Sequence, residues 1–299
     1  MDPSWLWIPF TLIAAGGQVA RNVMQRGLTA ELGTVGATHV RFLFGFPFAL
    51  IFLAGVLAMS GQTLPVPPAA FWPWVLAGAL TQIVATALML AVMNSRSFVV
   101  TTAYLKTEPI QVAVFGFVFL GDLLSPMMIA AIVIATAGVF AMSFRASRGN
   151  AAGSVTPTLL GLLAGGLFAM SAVGFRGAIL TLGDVGFVMA ATFTLAVGLV
   201  LQATLLSVYL LVRSPQVLRA IAGAWRRSLL AGFTGAAASQ FWFLAFALAT
   251  AASVRTLALV EVLFAQAMSL LVFKQRTSLR EALGIVMVVV GVLLLIRAH

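Results

Sequence analysis

The hydrophobic positions of this 299-residue chain lie in long continuous runs separated by brief polar punctuation. Ten such runs can be counted, near residues 5–25, 36–59, 70–93, 98–120, 124–144, 157–180, 186–212, 225–249, 252–273 and 279–296. About 20 helical residues cross a hydrocarbon core about 30 Å thick. Within lipid every backbone amide must be bonded inside the protein, which leaves helices or closed barrels, and barrel strands alternate over roughly 10 residues. The runs therefore predict an all-α integral membrane protein of ten transmembrane helices. Its connections are too short to hold a soluble domain of about 50 residues.

The punctuation repeats. Arg26-Gly27 followed by Leu32-Gly33-Thr34-Val35-Gly36 recurs 150 positions later as Arg176-Gly177 followed by Leu182-Gly183-Asp184-Val185-Gly186. Glu108, Ser125 and Gly138 recur 153 positions later as Glu261, Ser278 and Gly291. Each copy holds five predicted spans, and an odd number reverses the chain's direction. The copies, 1–148 and 149–299, are thus predicted to be inverted five-helix repeats joined by a linker at 145–156, with a site near the midplane between them. Gly16 and Gly17 match Gly165 and Gly166, small residues that let membrane helices approach closely.

Composition narrows the class. The chain is 62% hydrophobic and 8% charged, against roughly 25% charged in a soluble domain. A net charge of +10 would raise nucleic acid as a partner of a soluble protein; in a membrane chain it directs attention to the loops. Eleven Lys and Arg, from Arg26 to Arg280, flank the connections after odd-numbered spans, whereas Arg176, Arg255 and Arg297 lie on the other face. The positive-inside rule then places both termini outside the cell inner (plasma) membrane. Met1-Asp2-Pro3-Ser4-Trp5 lacks a basic n-region and cleavage site, so the first span is expected to be retained. There is no Cys, the His residues are His39 and His299, and no phosphate-cradling Gly-Lys-Ser/Thr loop exists. Without a nucleophile and base, a metal cluster or a nucleotide motif, the chain reads as neither enzyme nor ATP-driven pump, with no cofactor. Its expected partners are the lipid bilayer and a small-molecule substrate, with no nucleic acid; the sequence sets no oligomeric state and is compatible with a monomer.

Candidate chemistry lies inside the spans, where an ionisable group costs about 2.5–3.5 kcal/mol to insert. Glu108 and Glu261 fall near span centres, as proton- or amine-binding carboxylates or as structural ones. Pro109 removes a backbone donor and crowds Leu105, which predicts a kink at Glu108. Lys106 and Glu108 are two apart and do not face each other on a helix, so Lys106 either snorkels or meets a carboxylate or substrate elsewhere. Gln18 and Asn22 share one helix face, Gln82 and Thr86 another, and Ser239, Trp242 and Phe246 a third; Tyr104 precedes Glu108. Amides and hydroxyls suit the charged ends of an amino acid or similar metabolite, and rings suit its apolar part. Arg21, His39 and Arg41, near predicted span ends, are read as snorkelling to headgroups, with a gate as the alternative; Arg255 invites the same two readings.

The run Tyr104-Leu105-Lys106-Thr107-Glu108-Pro109, continuing through Phe119-Leu120-Gly121-Asp122 to a span with Gly138, resembles the ten-helix EamA type of the drug/metabolite transporter superfamily, and within it the YddG-type exporters of aromatic and other amino acids. Val262 stands where a second Pro might follow Glu261, and the family's Gly-Glu is Gly121-Asp122 in one half and Lys274-Gln275 in the other. The resemblance implies a central cavity lined by spans one, three, four, six, eight and nine. It also implies export of small organic metabolites, amino acids including aromatic ones, by alternating access. The alternative is a proton-coupled drug or cation antiporter using Glu108 or Glu261.

Overall fold

The computed structural model describes residues 3–95, 105–143, 156–183, 185–263 and 279–298. Among them the secondary structure is helical throughout. Helix α1 covers Trp7–Leu43, α2 Phe46–Ser60, α3 Phe71–Ser95, α4 Glu108–Phe115 and α5 Pro126–Ser143. Helix α6 covers Thr156–Thr181, α7 Phe187–Arg213, α8 Pro215–Gly223, α9 Trp225–Leu248, α10 Ala251–Leu257 and α11 Leu279–Ala298. Six stretches among the described residues are long and apolar enough to cross a bilayer, and Glu108–Leu120 and Pro126–Met142 are shorter apolar helices. This is a multi-pass membrane architecture.

One of the six stretches, Ser4–Ser60, is 57 residues long and holds two passes. Gly33, with φ 68° and ψ 174°, interrupts α1, and Gln25 Nε2 donates to the Ala37 carbonyl at 3.1 Å. Twelve residues of straight helix would separate those groups by about 18 Å, so the chain turns back at Gly33. Its counterpart in the second copy, Gly183, has φ 58° where α6 ends. The repeated Leu-Gly is thus a backbone requirement. A left-handed residue terminates the first helix of each copy, a conformation glycine adopts without the Cβ penalty, while Leu32 and Leu182 beside it are buried. The repeated Ser125 accepts from the Met128 amide at 3.2 Å at the start of α5; Ser278 and the predicted linker at 145–156 lie almost wholly outside the described residues.

Three helix pairs make the most intimate contacts, α3 with α6, α1 with α9, and α5 with α11. Small residues allow it. A Cβ at Gly174 would stand 2.7 Å from the Gly78 amide nitrogen, one at Gly17 would touch Ala238 at 3.0 Å, and one at Gly138 would meet the Gly284 carbonyl at 2.7 Å. Without a hydrophobic drive between helices in lipid, such backbone proximity is the main source of cohesion.

Along α1, α3, α6 and α9 the side chains form three layers. One apolar cluster gathers Trp7, Ala15, Phe71, Val75, Phe175, Phe193 and Phe246. A second gathers Leu28, Leu32, Met89, Met93, Ala164 and Ala231. Between the two lie Arg21, Gln82, Thr86, Ser171 and Ser239, all buried. Helix α8, a short amphipathic segment that the hydrophobic runs did not predict, lays Val217 and Ile221 on the second cluster and closes that end.

Replacing Gly174 by Val should force α3 and α6 apart, costing about 1–3 kcal/mol as an overpacked core does. Thermal unfolding in detergent should show a clear fall, while Gly55→Ala, where a Cβ meets nothing within 4 Å, should leave the midpoint unchanged. Equal midpoints for the two variants would contradict the backbone contact.

Candidate functional site

The polar layer is built around two broken helices. Residues 106–107 form a turn, and α4 restarts at Glu108 with Pro109 in its first turn. Helix α10 passes into a 3-10 turn over Ala258–Val260, and helix resumes at Glu261. The predicted disturbance at Glu108 is present, and its repeat-related position is broken as well. Each carboxylate stands where its helix restarts, a position that favours negative charge.

Each carboxylate is held by a cation from the other broken helix. Lys106 Nζ pairs with Glu261 Oε1, and Arg255 Nε stands 3.0 Å from Glu108 Oε1. All four side chains are nearly buried. The Arg255 guanidinium also lies 4.3 Å from the Trp242 ring centroid and 5.4 Å from that of Phe246, rings stacked at 6.1 Å and 21°. A cation over such faces is attracted by the ring quadrupole.

Two further cations lie beside these pairs. Arg21 and Arg41 are each 2% exposed, so the expectation that they snorkel to headgroups is overturned. The reason is geometric: the first pass runs to Leu32 rather than residue 25, which draws Arg21 inward, and both side chains cross α9 at Gly235, where a Cβ would meet Arg21 Cδ at 3.3 Å and Arg41 Cγ at 3.4 Å. Arg21 donates through Nε and Nη2 to Asn22 Oδ1 at 3.2 and 2.9 Å. Arg41 Nη1 donates to Thr86 Oγ1 at 3.3 Å. Arg255, counted from sequence among the outer-face charges, is likewise buried. His39 turns away from this cluster, its Nε2 3.0 Å from Ser207 Oγ.

Two small adjoining cavities open here. One, about 10 Å³, is lined by Gln18, Arg21, Arg41, Gln82, Ser239 and Trp242, with Ser171, Phe246 and Arg255 among the others. The second, about 30 Å³, is lined by Gln18, Arg21, Asn22, Lys106, Glu108 and Glu261 with Phe168 and Arg255. A water needs about 10–15 Å³ of such volume, and a metabolite far more, so this conformation is closed around its polar centre. A larger apolar groove of about 420 Å³, between α4 and α5, is lined by exposed residues such as Val114, Phe117 and Val133 and lies apart from the polar centre.

Of the residues singled out from sequence, Gln18, Asn22, Gln82, Ser239, Trp242, Phe246, Glu108 and Glu261 meet at these cavities. Thr86 stands behind the wall, donating to the Gln82 carbonyl and accepting from Arg41. Tyr104 lies outside the described residues. Phe168, Ser171 and Phe175 of α6 were missed, and Gln202 of α7 too; Gln202 Nε2 donates to Gln82 Oε1 at 2.9 Å and so orients that amide. Arg176 of the repeated Arg-Gly is an anchor. Its Nη1 donates to the Phe246 and Ala249 carbonyls at 2.7 Å, and Nη2 lies 3.4 Å from Asp122 Oδ1.

This arrangement offers charge and hydrogen bonds to a small molecule enclosed by several helices, and comparison with known proteins agrees in kind. Residues 5–144 match the EamA-like transporter family. The match spans a little under half of the chain. A solved structure described only as "Crystal structure of protein" is similar over 97% of each chain, with 16% identity and a TM-score of 0.68, which shows a shared fold. No curated protein matches the chain.

Removing one member of a buried ion pair leaves the other charge unpaired, at about 3–5 kcal/mol. Lys106→Met should therefore lower the unfolding midpoint in detergent more than the double variant Lys106→Met/Glu261→Gln does, and Arg255→Met against Arg255→Met/Glu108→Gln should behave alike. Additive losses would mean that the pairs do not couple.

Proposed function

We propose that this chain is a secondary transporter of the EamA type, ten spans in two inverted repeats, that moves small organic metabolites bearing a carboxylate, amino acids among them, by alternating exposure of the central polar site. The observation that carries this reading is the closed, charged centre: six ionisable side chains, Arg21, Arg41, Lys106, Glu108, Arg255 and Glu261, line space too small for free diffusion. Four of these charges pair across the broken helices, but Arg21 and Arg41 are buried beyond what those pairs require, and a buried charge costs several kcal/mol to desolvate.

The inverted repeat is supported by the packing. Under a five-span offset the contact of spans three and six, here α3 and α6, maps onto that of spans eight and one, here α9 and α1, and the contact of spans five and ten maps onto itself. These are the three most intimate pairs. The breaks at Glu108 and Glu261 map onto each other in the same way, as discontinuous helices do at the midplane of repeat transporters.

The stacked Trp242 and Phe246, with Phe168 and Phe175, support an apolar or aromatic side chain on the substrate. Export across the inner membrane, with both termini outside, is the direction and orientation that the resemblance and the Lys/Arg distribution support. The proton-coupled cation antiporter gains less support, because Glu108 and Glu261 are each already engaged by a cation.

Counterflow in proteoliposomes tests the proposal. Labelled external phenylalanine should accumulate transiently against trapped unlabelled phenylalanine and saturate with concentration. Linear uptake without counterflow would replace alternating access by a channel. Loss of counterflow on collapse of a pH gradient, abolished by Glu108→Gln, would favour the antiporter.

A further inference from the structure

Resting on the transporter reading, the polar centre carries a charge imbalance that names the substrate more closely. Among the described residues that line the two cavities, Arg21, Arg41, Lys106 and Arg255 oppose Glu108 and Glu261. Two pairs close on themselves. Among the described residues Arg21 and Arg41 hydrogen-bond to neutral groups, the Asn22 amide oxygen and the Thr86 hydroxyl, while Glu261, which shares a cavity with Arg21, is paired with Lys106.

The hydrogen-bond inventory leans the same way. Arg41 Nε, Ser171 Oγ and Trp242 Nε1 are buried without a hydrogen-bond partner among the described residues, and all three residues line one cavity. Two of these atoms are obligate donors and the third is a hydroxyl that can donate. Gln82 Oε1 already accepts one hydrogen bond from Gln202, which leaves it a single further lone pair. A wall rich in unmatched donors with surplus cations complements an acceptor-rich negative group. A protonated amine would face repulsion from Arg21 and Arg41 in that cavity, and the open acceptors, Glu108 Oε1 and Glu261 Oε2, lie in the adjoining one beside Arg255 and Lys106.

We propose that the central site takes organic anions of net negative charge, the acid group held by Arg21 and Arg41 with the Ser171 and Trp242 donors beside it, and an apolar part against Phe168, Trp242 and Phe246. Carboxylate and phosphate share the required chemistry. A zwitterionic amino acid is a weaker ligand than the anion lacking its ammonium.

A panel sharing one phenyl group separates the charge classes. Purified protein in detergent would be titrated with 3-phenylpropionate, benzylsuccinate, phenyl phosphate, phenylalanine and phenylethylamine, binding being read by tryptophan fluorescence and thermal shift. The anions should bind more tightly than phenylalanine, and phenylethylamine should not bind. Preference for phenyl phosphate over the carboxylates would assign the headgroup to phosphate, and the reverse order to carboxylate. Arg41→Gln should weaken the anions by about tenfold or more, as loss of a charged hydrogen bond does, with Arg41→Lys intermediate.

Should Arg41→Gln fail to fold, the wild-type protein supplies a second readout. Butanedione modification of Arg21 and Arg41, mapped by peptide mass spectrometry, should slow with benzylsuccinate present while the exposed Arg226 reacts unchanged. Tighter binding of phenylalanine or phenylethylamine than of the anions would overturn the charge class and leave the transporter reading standing. Absence of binding by every anion, or no protection of Arg21 and Arg41, would overturn the site. Anion binding with protection but no counterflow of any panel member would support the site and defeat the transporter reading alone.

Discussion

The crossed ion pairs between the two broken helices are the constraint on which the centre of this protein depends. Lys106 and Glu108 sit on one, Arg255 and Glu261 on the other, and each carboxylate is satisfied from across the gap. Neither segment can withdraw alone, because either move would strand charge in a medium where a lone ion costs several kcal/mol. Crossing also couples the breaks, since whatever displaces one pair loads the other. A single uncrossed bridge would fix only a distance. Two crossed bridges also fix the relative rotation of the segments.

Around that lock, cohesion comes from backbone proximity rather than from apolar bulk. Gly174 on Gly78, Gly17 on Ala238 and Gly138 on Gly284 join helices that have little other reason to adhere in lipid. Close pairs of this kind transmit displacement because they have almost no slack. The proposed opening would then shift whole pairs against one another, with α8 and its Val217 and Ile221 lifting from the second cluster at one end and the Arg176 anchor on α9 releasing at the other. Gly235 serves another purpose, clearing a path over α9 for two arginine side chains that a methyl group would obstruct.

Much of this was legible in the sequence where the constraint is local. Gly33 and Gly183 betray themselves because no other residue takes positive φ so cheaply, and Pro109 announces the break at Glu108. Helical spacing put Gln18 with Asn22, and Ser239 with Trp242 and Phe246, on shared faces, and the family resemblance, not spacing, pointed those faces and Gln82 to one centre. What spacing cannot show is the direction taken by a long side chain near a span end. Arg21 was read as a headgroup contact because Arg26 made residue 25 look like the end of its helix, whereas the helix continues to Leu32. Lys106 and Glu261 are 155 positions apart, and their pairing is a property of the fold alone. Helix α8 escaped because nine residues are too few for a hydrophobic run, and Thr86 was placed on the right face yet serves to position Arg41.

Closure around unmatched donors has an energetic consequence. Leaving a buried donor without a partner costs about 1–3 kcal/mol, and the closed state holds three such groups on one cavity wall. The opened conformations of the proposed transport cycle would relieve that cost by hydrating Arg41, Ser171 and Trp242. A ligand whose oxygens reach the same donors relieves it in the closed state as well, and a ligand that favours one state shifts the population by its differential affinity. An anion would therefore stabilise closure more than a neutral molecule of the same shape. On the proposed reading, Arg21 and Arg41 would thus both select the substrate and lower the barrier to carrying it across.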